Sequence, residues 1–313
     1  MKIDVHQHLW TEPLLAALAV RSELPFVREE HGLTVLYLAA ERPYVIDLAG
    51  EGHAERAALL ELDGVDRALL CLSSPLGIEW LPRAQALALI DAYHDGALAL
   101  GDPFGVWGAI ALDRPNGDDV EALLARGCAG LALPAGALAS VEAVASLQPV
   151  LARLESLGAP LLVHPGPGLP TGPGEADASL ADPLWWPALT DYVAGMQAAW
   201  LAFVTCGHPA HPRLRVIFSM LAGLAPLHCE RLRARGGSIP RGHDPLIFYE
   251  TSSYGPAAVR ALAQAVGADQ LLYGSDRPIV GPGELAAGGV LDWQAIGAAS
   301  ERAFGAVARA VPA

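Results

Sequence analysis

From residue 65 onward the chain alternates short, continuous apolar runs with amphipathic stretches. Residues 65–72, 106–112, 129–133, 160–164, 214–219, 246–251 and 270–274 read as strands buried on both faces. The stretches between them predict helices over 83–93, 118–126, 141–157 (ended by Gly158), about 191–206, 226–235, 256–266 and 293–307. Ahead of this rhythm, residues 3–10 form an apolar strand, a helix begins over 14–19, and another covers 53–62. The intervening segment, 23–52, is less regular. It carries two short strands, 34–39 and 44–48, around Glu41-Arg42-Pro43, and reads as a β-hairpin insertion covering the top of the domain. Counted from the first strand there are eight strand–helix cycles. Apolar strands alternating with amphipathic helices pair in parallel, so the pattern predicts one domain, 1–313, folded as a (β/α)8 TIM barrel. An open doubly wound sheet is the alternative, but no glycine-rich phosphate loop follows the first strand.

Chemistry in such barrels sits at the carboxyl ends of the strands. The first strand offers His6 and His8, two apart and therefore on one face, where both imidazoles can meet one metal ion. Asp4 is expected to fix a ring tautomer through the other nitrogen. The fifth strand, Leu161-Leu162-Val163-His164, ends in a histidine, and the eighth runs out through Gly274-Ser275-Asp276-Arg277-Pro278. Strands one, five and eight converge on the barrel axis, so three imidazoles and one carboxylate can surround one divalent cation. Nitrogen and oxygen donors suit zinc, the first expectation, or manganese, iron or cobalt, rather than calcium or copper(I).

Four motifs now make a resemblance specific: Asp4-Val5-His6-Gln7-His8, Val163-His164-Pro165-Gly166, His211-Pro212-Arg213-Leu214-Arg215-Val216-Ile217-Phe218 and Tyr273-Gly274-Ser275-Asp276-Arg277-Pro278. Together they resemble the amidohydrolase superfamily, in the branch containing aminocarboxymuconate-semialdehyde decarboxylase and γ-resorcylate decarboxylase. The resemblance implies metal ligation by His6, His8, His164 and Asp276, with Asp276 handling protons for a metal-bound water. The run His8-Leu9-Trp10 is also similar to the sugar-lactone hydrolases of that superfamily.

The chain departs from its relatives at two places. Binuclear members bridge their metals with a carbamylated lysine on the fourth strand; here Lys2 is the only lysine, which leaves one metal. The branch usually carries a histidine at the end of the sixth strand, where this chain has Met220 in Phe218-Ser219-Met220-Leu221-Ala222-Gly223. A thioether transfers no proton and is a poor ligand for a hard cation. The leading expectation is therefore a mononuclear metal-dependent hydrolase that attacks a small ester, lactone or amide with activated water, Asp276 acting as general base and then general acid. Two alternatives stay open: a non-oxidative decarboxylase of an aromatic or muconate-type acid, and a metal-binding barrel without efficient catalysis.

Three further residues are candidates for the catalytic set. Arg277 is a candidate for a substrate carboxylate, against a structural salt bridge. Glu250 ends the seventh strand, where one side chain should face the pocket. His228, after the sixth strand, is a candidate replacement for the missing histidine, against a plain helix-surface position. The long segment 165–187, rich in proline and glycine and ending near Trp185-Trp186, reads as a lid or pocket wall.

Composition narrows the partners. A formal charge of −14 argues against nucleic acid or an anionic membrane. The most hydrophobic long segment, 185–204, contains Pro187, Asp191 and Gln197 and suits a buried helix rather than a span. Cys71, Cys128, Cys206 and Cys229 have no paired spacing and read as reduced thiols of a cytoplasmic protein. The expected partner is a small molecule, a carboxylate or aromatic acid derivative, and the insertion is a candidate homodimer surface.

Overall fold

In the computed structural model, which describes residues 1–38, 41–50, 52–167, 183, 185–238, 244–280 and 291–305, eight parallel strands form one sheet. They are β1 (Ile3–Gln7), β5 (Arg67–Leu70), β6 (Phe104–Gly108), β7 (Gly130–Pro134), β8 (Leu161–His164), β9 (Val216–Phe218), β10 (Ile247–Glu250) and β11 (Leu271–Leu272), paired in that order. The sheet closes on itself through β1. Val5 N–H donates to Tyr273 O at 2.9 Å, Asp276 N–H to His6 O at 2.9 Å and His8 N–H to Arg277 O at 2.7 Å. The result is the (β/α)8 TIM barrel expected from the alternation of apolar and amphipathic stretches.

The insertion is larger than a hairpin. A separate antiparallel sheet contains β2 (Phe26–Glu30), β3 (Leu33–Tyr37) and β4 (Tyr44–Ile46). The pattern misses β2 because three of its five residues, Arg28, Glu29 and Glu30, are charged and only Val27 is buried. Phe26 and Val27 supply the whole apolar signal of that strand.

Burial divides the core into two layers. Inside the barrel lie Ile3, Val5, Leu69, Cys71, Trp107, Ala132, Leu162, Ile217, Phe248 and Leu272. Ala299, Ala303 and Phe304 of the helix Trp293–Phe304 join that layer beside Ile3 and Ala129, stoppering the end where the strands begin. Trp107 is fully buried there, and its indole N–H donates to Val5 O at 2.9 Å. The second layer packs the outer faces of the strands against the helices. Among the described residues, no helix is long and apolar enough to cross a membrane.

The largest departure from expectation follows β9. Ahead of the helix expected over 226–235, Met220, Leu221, Ala222, Gly223 and Leu224 all take φ values between 43° and 62°, a left-handed turn that the pattern does not predict. The expected right-handed helix follows it as Cys229–Ala234. Each non-glycine residue in that conformation costs roughly 1–2 kcal/mol, so its surroundings must hold the turn in place.

Candidate active site

The inward layer locates the site. Side chains alternate along a strand, so the position two residues beyond an inward apolar residue faces the barrel mouth. Leu69 is followed in this way by Cys71, Leu162 by His164, Ile217 by Ser219, Phe248 by Glu250 and Leu272 by Gly274. On β1 the pairing with β5 shifts register between Asp4 and Gln7. Irregularities of this kind re-aim side chains beside active sites, and here His6 and His8 both face the mouth.

Three rings and one carboxylate meet there. His8 Nε2 lies 3.3 Å from His6 Nε2 and 3.2 Å from His164 Nε2. Asp276 Oδ1 lies 3.1 Å from His8 Nε2 and 3.4 Å from His6 Nε2. Imidazoles held at about 2.0–2.1 Å from one ion stand about 3.0–3.4 Å apart, depending on the coordination angle. The donor set therefore fits a small divalent cation.

The far nitrogens support the same reading. His6 Nδ1 is 2.9 Å from Glu250 Oε2, His8 Nδ1 is 2.9 Å from Cys71 O, and His164 Nδ1 is 2.5 Å from Pro165 O. Each acceptor holds a proton on Nδ1 and so turns a lone pair at Nε2 towards the centre. Two of the three acceptors are backbone carbonyls.

Electrostatics makes the demand for positive charge plain. Burial disfavours charge on His6 and His8, yet Cys71 and Asp276 outweigh it: His6 rises well above the usual imidazole range and His8 to about 9. His164 falls well below that range through burial and the two neighbouring imidazoles. Burial would raise Asp276, but the same imidazoles hold it below the usual carboxylate value. Cys71, whose burial would raise it, is brought down to about 7 by His8 and His6. Its Sγ is 3.6 Å from His8 Nδ1, and it forms with His6, His8 and His164 a buried group whose donor atoms lie within 4.8 Å of one another.

Glu250 is fully buried behind His6. Its Oε2 also accepts from Ser252 Oγ at 2.8 Å and from Met220 N–H at 3.3 Å, and its Oε1 accepts from Ser252 N–H. Gly274 makes room for it: a Cβ there would stand 2.2 Å from Oε1. Glu250 thus reaches the space beside Met220, but as the partner of His6 and not as a group open to substrate.

Other sequence candidates fall elsewhere. Asp4 does not touch an imidazole. Its Oδ1 accepts from the backbone N–H groups of His6 and Ser275, both at 3.1 Å, and its Oδ2 from Gln7 Nε2 at 2.8 Å, tying β1 to the end of the eighth barrel strand. Arg277 forks onto Asp63, with Nη2 at 2.8 Å and Nε at 3.1 Å, which engages its guanidinium in an ion pair. His228 is exposed, at the end of the segment Met220–His228. Asp276 keeps φ at 58°, and its side chain is 15% exposed. Most of the expected lid, 168–182 and 184, lies outside the described residues; Trp185 and Trp186 are exposed.

Cys71 is the group that the sequence reading missed. A strand apolar on both faces has no alternation to mark which residues point inward, so Leu69-Leu70-Cys71-Leu72 does not single out its thiol.

No protein-family model and no curated protein matches the sequence. Solved structures do share its fold over nearly the whole chain. The 5-carboxyvanillate decarboxylase of Sphingomonas paucimobilis is 18% identical with a TM-score of 0.71, and the match covers 97% of this chain and 98% of that one. The corresponding enzyme of Novosphingobium aromaticivorans, solved with manganese and 3-methoxy-4-hydroxy-5-nitrobenzoic acid, is 17% identical with a TM-score of 0.69, covering 97% of each chain. The 2,6-dihydroxybenzoate decarboxylase of Rhizobium is 16% identical with a TM-score of 0.63, covering 97% and 98%. These likenesses establish the fold, and they fall on the decarboxylase group that the sequence motifs resemble. The expectation of an ester, lactone or amide hydrolase is thereby overturned. It rested on Met220 removing the proton carrier, whereas Asp276, partly exposed at the mouth, is a carboxyl group able to carry a proton without that histidine.

Proposed function

We propose that this protein is a metal-dependent, non-oxidative decarboxylase of an aromatic carboxylic acid, of the amidohydrolase-related kind. The observation that carries the reading is the convergence on His8 Nε2, at the mouth of the barrel, of His6 Nε2, His164 Nε2 and Asp276 Oδ1 at 3.1–3.3 Å, with Asp276 Oδ1 also 3.4 Å from His6 Nε2. His6, His8, His164 and Asp276 would hold one divalent ion. When bound, that ion supplies positive charge that fixes an anionic substrate and stabilises the electron pair left as carbon dioxide departs.

The protein's own groups do the rest. Asp276, carrying a proton, delivers it to the ring carbon while the carbon–carboxylate bond breaks. Carbon dioxide leaves, and the Asp276 carboxylate recovers a proton from solvent. An anionic substrate beside Asp276 favours its protonated form and opposes the pull of the imidazoles. Glu250 orients His6 through Nδ1 and so acts as a positioning residue. Among the described residues near the cluster, Arg277 is engaged with Asp63, so the substrate carboxylate would rely on the bound ion for positive charge. The four cysteines are free thiols, which supports a reducing compartment such as the cytoplasm.

The test is carbon dioxide release from a panel of hydroxybenzoates and muconate-type acids by the metal-loaded protein. Activity should vanish on chelation and return with added metal. Asp276→Asn should lower kcat by about 10²–10⁴-fold with the metal still bound. Silence across the panel with metal bound, or an unimpaired Asp276→Asn variant, would sink the proposal.

A further inference from the structure

The ring of inward residues at the barrel mouth contains a thiol that the proposed reaction leaves without a task. Leu69 belongs to the apolar layer inside the barrel, and Cys71 is the next inward position on the same strand. Its thiol is 2% exposed and stands at the boundary between that layer and the imidazoles. The Sγ lies 3.6 Å from His8 Nδ1, and one donor atom from each of His6, His8, Cys71 and His164 falls within 4.8 Å of all the others. A thiolate at about 2.3 Å and an imidazole nitrogen at about 2.1 Å from one ion can be at most about 4.4 Å apart. The 3.6 Å contact is with Nδ1, the ring nitrogen turned away from the imidazole centre, so rotation of the Cys71 side chain towards the Nε2 face is the movement that brings the sulfur to the ion.

We propose that Cys71 donates its sulfur to the ion held by His6, His8 and His164, and that this soft donor makes the centre prefer zinc, or another thiophilic cation, to manganese. The inference rests on the metal-site reading above. Binding exchanges the S–H bond for a sulfur–metal bond, and the proton passes to solvent. Zinc, borderline in softness, gains from a thiolate, whereas manganese prefers oxygen donors. The metal preference would then differ from that of the manganese-bound enzyme whose fold this chain shares.

The full-length protein, stripped of metal by chelation, is titrated with cobalt(II) alone. The expected spectrum combines visible ligand-field bands with a thiolate-to-cobalt charge-transfer band in the near ultraviolet. In Cys71→Ser the visible bands remain and the charge-transfer band disappears. Against a chromophoric chelator, the zinc affinity of that variant should fall on the order of 10–100-fold, while its manganese affinity stays within about threefold, as softness matching requires. X-ray absorption at the zinc edge of the unmutated protein should show sulfur at about 2.3 Å, a result independent of how the variant folds. Visible cobalt bands without charge transfer, or a zinc shell of nitrogen and oxygen only, overturn the role of Cys71 and leave the metal site standing. Failure of the unmutated protein to take up cobalt overturns the metal site itself.

Discussion

The ends of β8 and β9 lie side by side and share almost nothing. β8 runs straight into His164, an imidazole aimed at the cluster on an ordinary extended backbone. β9 is followed by Ser219, a buried hydroxyl with no partner among the described residues, and then by five consecutive left-handed residues starting at Met220. One strand contributes a side chain to the centre. The other contributes a backbone N–H, donated by Met220 to Glu250, which in turn holds His6. A barrel strand can thus serve a site through its main chain, with no ionisable side chain to announce it.

The largest test of this contrast exchanges the two ends. His164→Ala should abolish tight metal binding and lower activity by 10³-fold or more, on the order of the loss when a group essential to the reaction is removed. Met220→Leu keeps the volume and the main-chain donor, so metal content should be unchanged and kcat should stay within about tenfold. Metal analysis and carbon dioxide release measure both variants. Comparable losses in the two would erase the distinction.

Next in size is the turn itself. Gly223 sits at φ 58°, and a Cβ there would come 2.8 Å from Val193 O. Gly223→Ala should therefore destabilise by about 2–4 kcal/mol, combining left-handed strain with overpacking. Chemical denaturation reads this directly.

The link from β9 to the centre runs through Glu250. Glu250→Gln preserves the shape of the contact with His6 and removes the negative charge. Metal affinity should fall about 10–100-fold, as for other groups that hold a ligating imidazole, with little change in melting temperature when metal is saturating. An unaltered affinity would leave Glu250 a packing residue.

The smallest effect is expected at Ala222, φ 55° and fully buried. Ala222→Gly gives up about 0.8 kcal/mol of methyl burial and relieves about 1–2 kcal/mol of left-handed strain. A net gain of up to about 1 kcal/mol should appear as a higher denaturation midpoint. A loss would mean that the surrounding helices hold the turn less tightly than its backbone angles imply.

The same contrast explains what the sequence reveals. His6, His8, His164 and Asp276 are polar residues at the ends of apolar strands, and their types alone select them. The barrel is equally legible, because eight apolar runs alternating with amphipathic helices have few other ways to bury themselves. The supporting parts carry no such mark. Two of the three Nδ1 partners are carbonyls of Cys71 and Pro165, which any residue could supply. Gly274 acts through the side chain it lacks. The left-handed run contains a single glycine, so residues 220–224 give no warning of the turn that precedes the helix Cys229–Ala234. Arg277 and His228 mislead for the opposite reason: both are types suited to catalysis, and only three-dimensional neighbours reveal the ion pair of one and the exposure of the other.

A consequence follows from the stopper at the barrel's far end. With Phe304, Ala299 and Ala303 seated beneath Trp107 and Phe248, the donor ring stands at the bottom of a blind alley. Among the described residues that apolar layer closes the path below the ring, so a reaction that splits one molecule into two would share the mouth as its exit. In the decarboxylation proposed above, carbon dioxide would slip out past the ring that bore it, and its release, as much as bond breaking, would be a step this architecture controls.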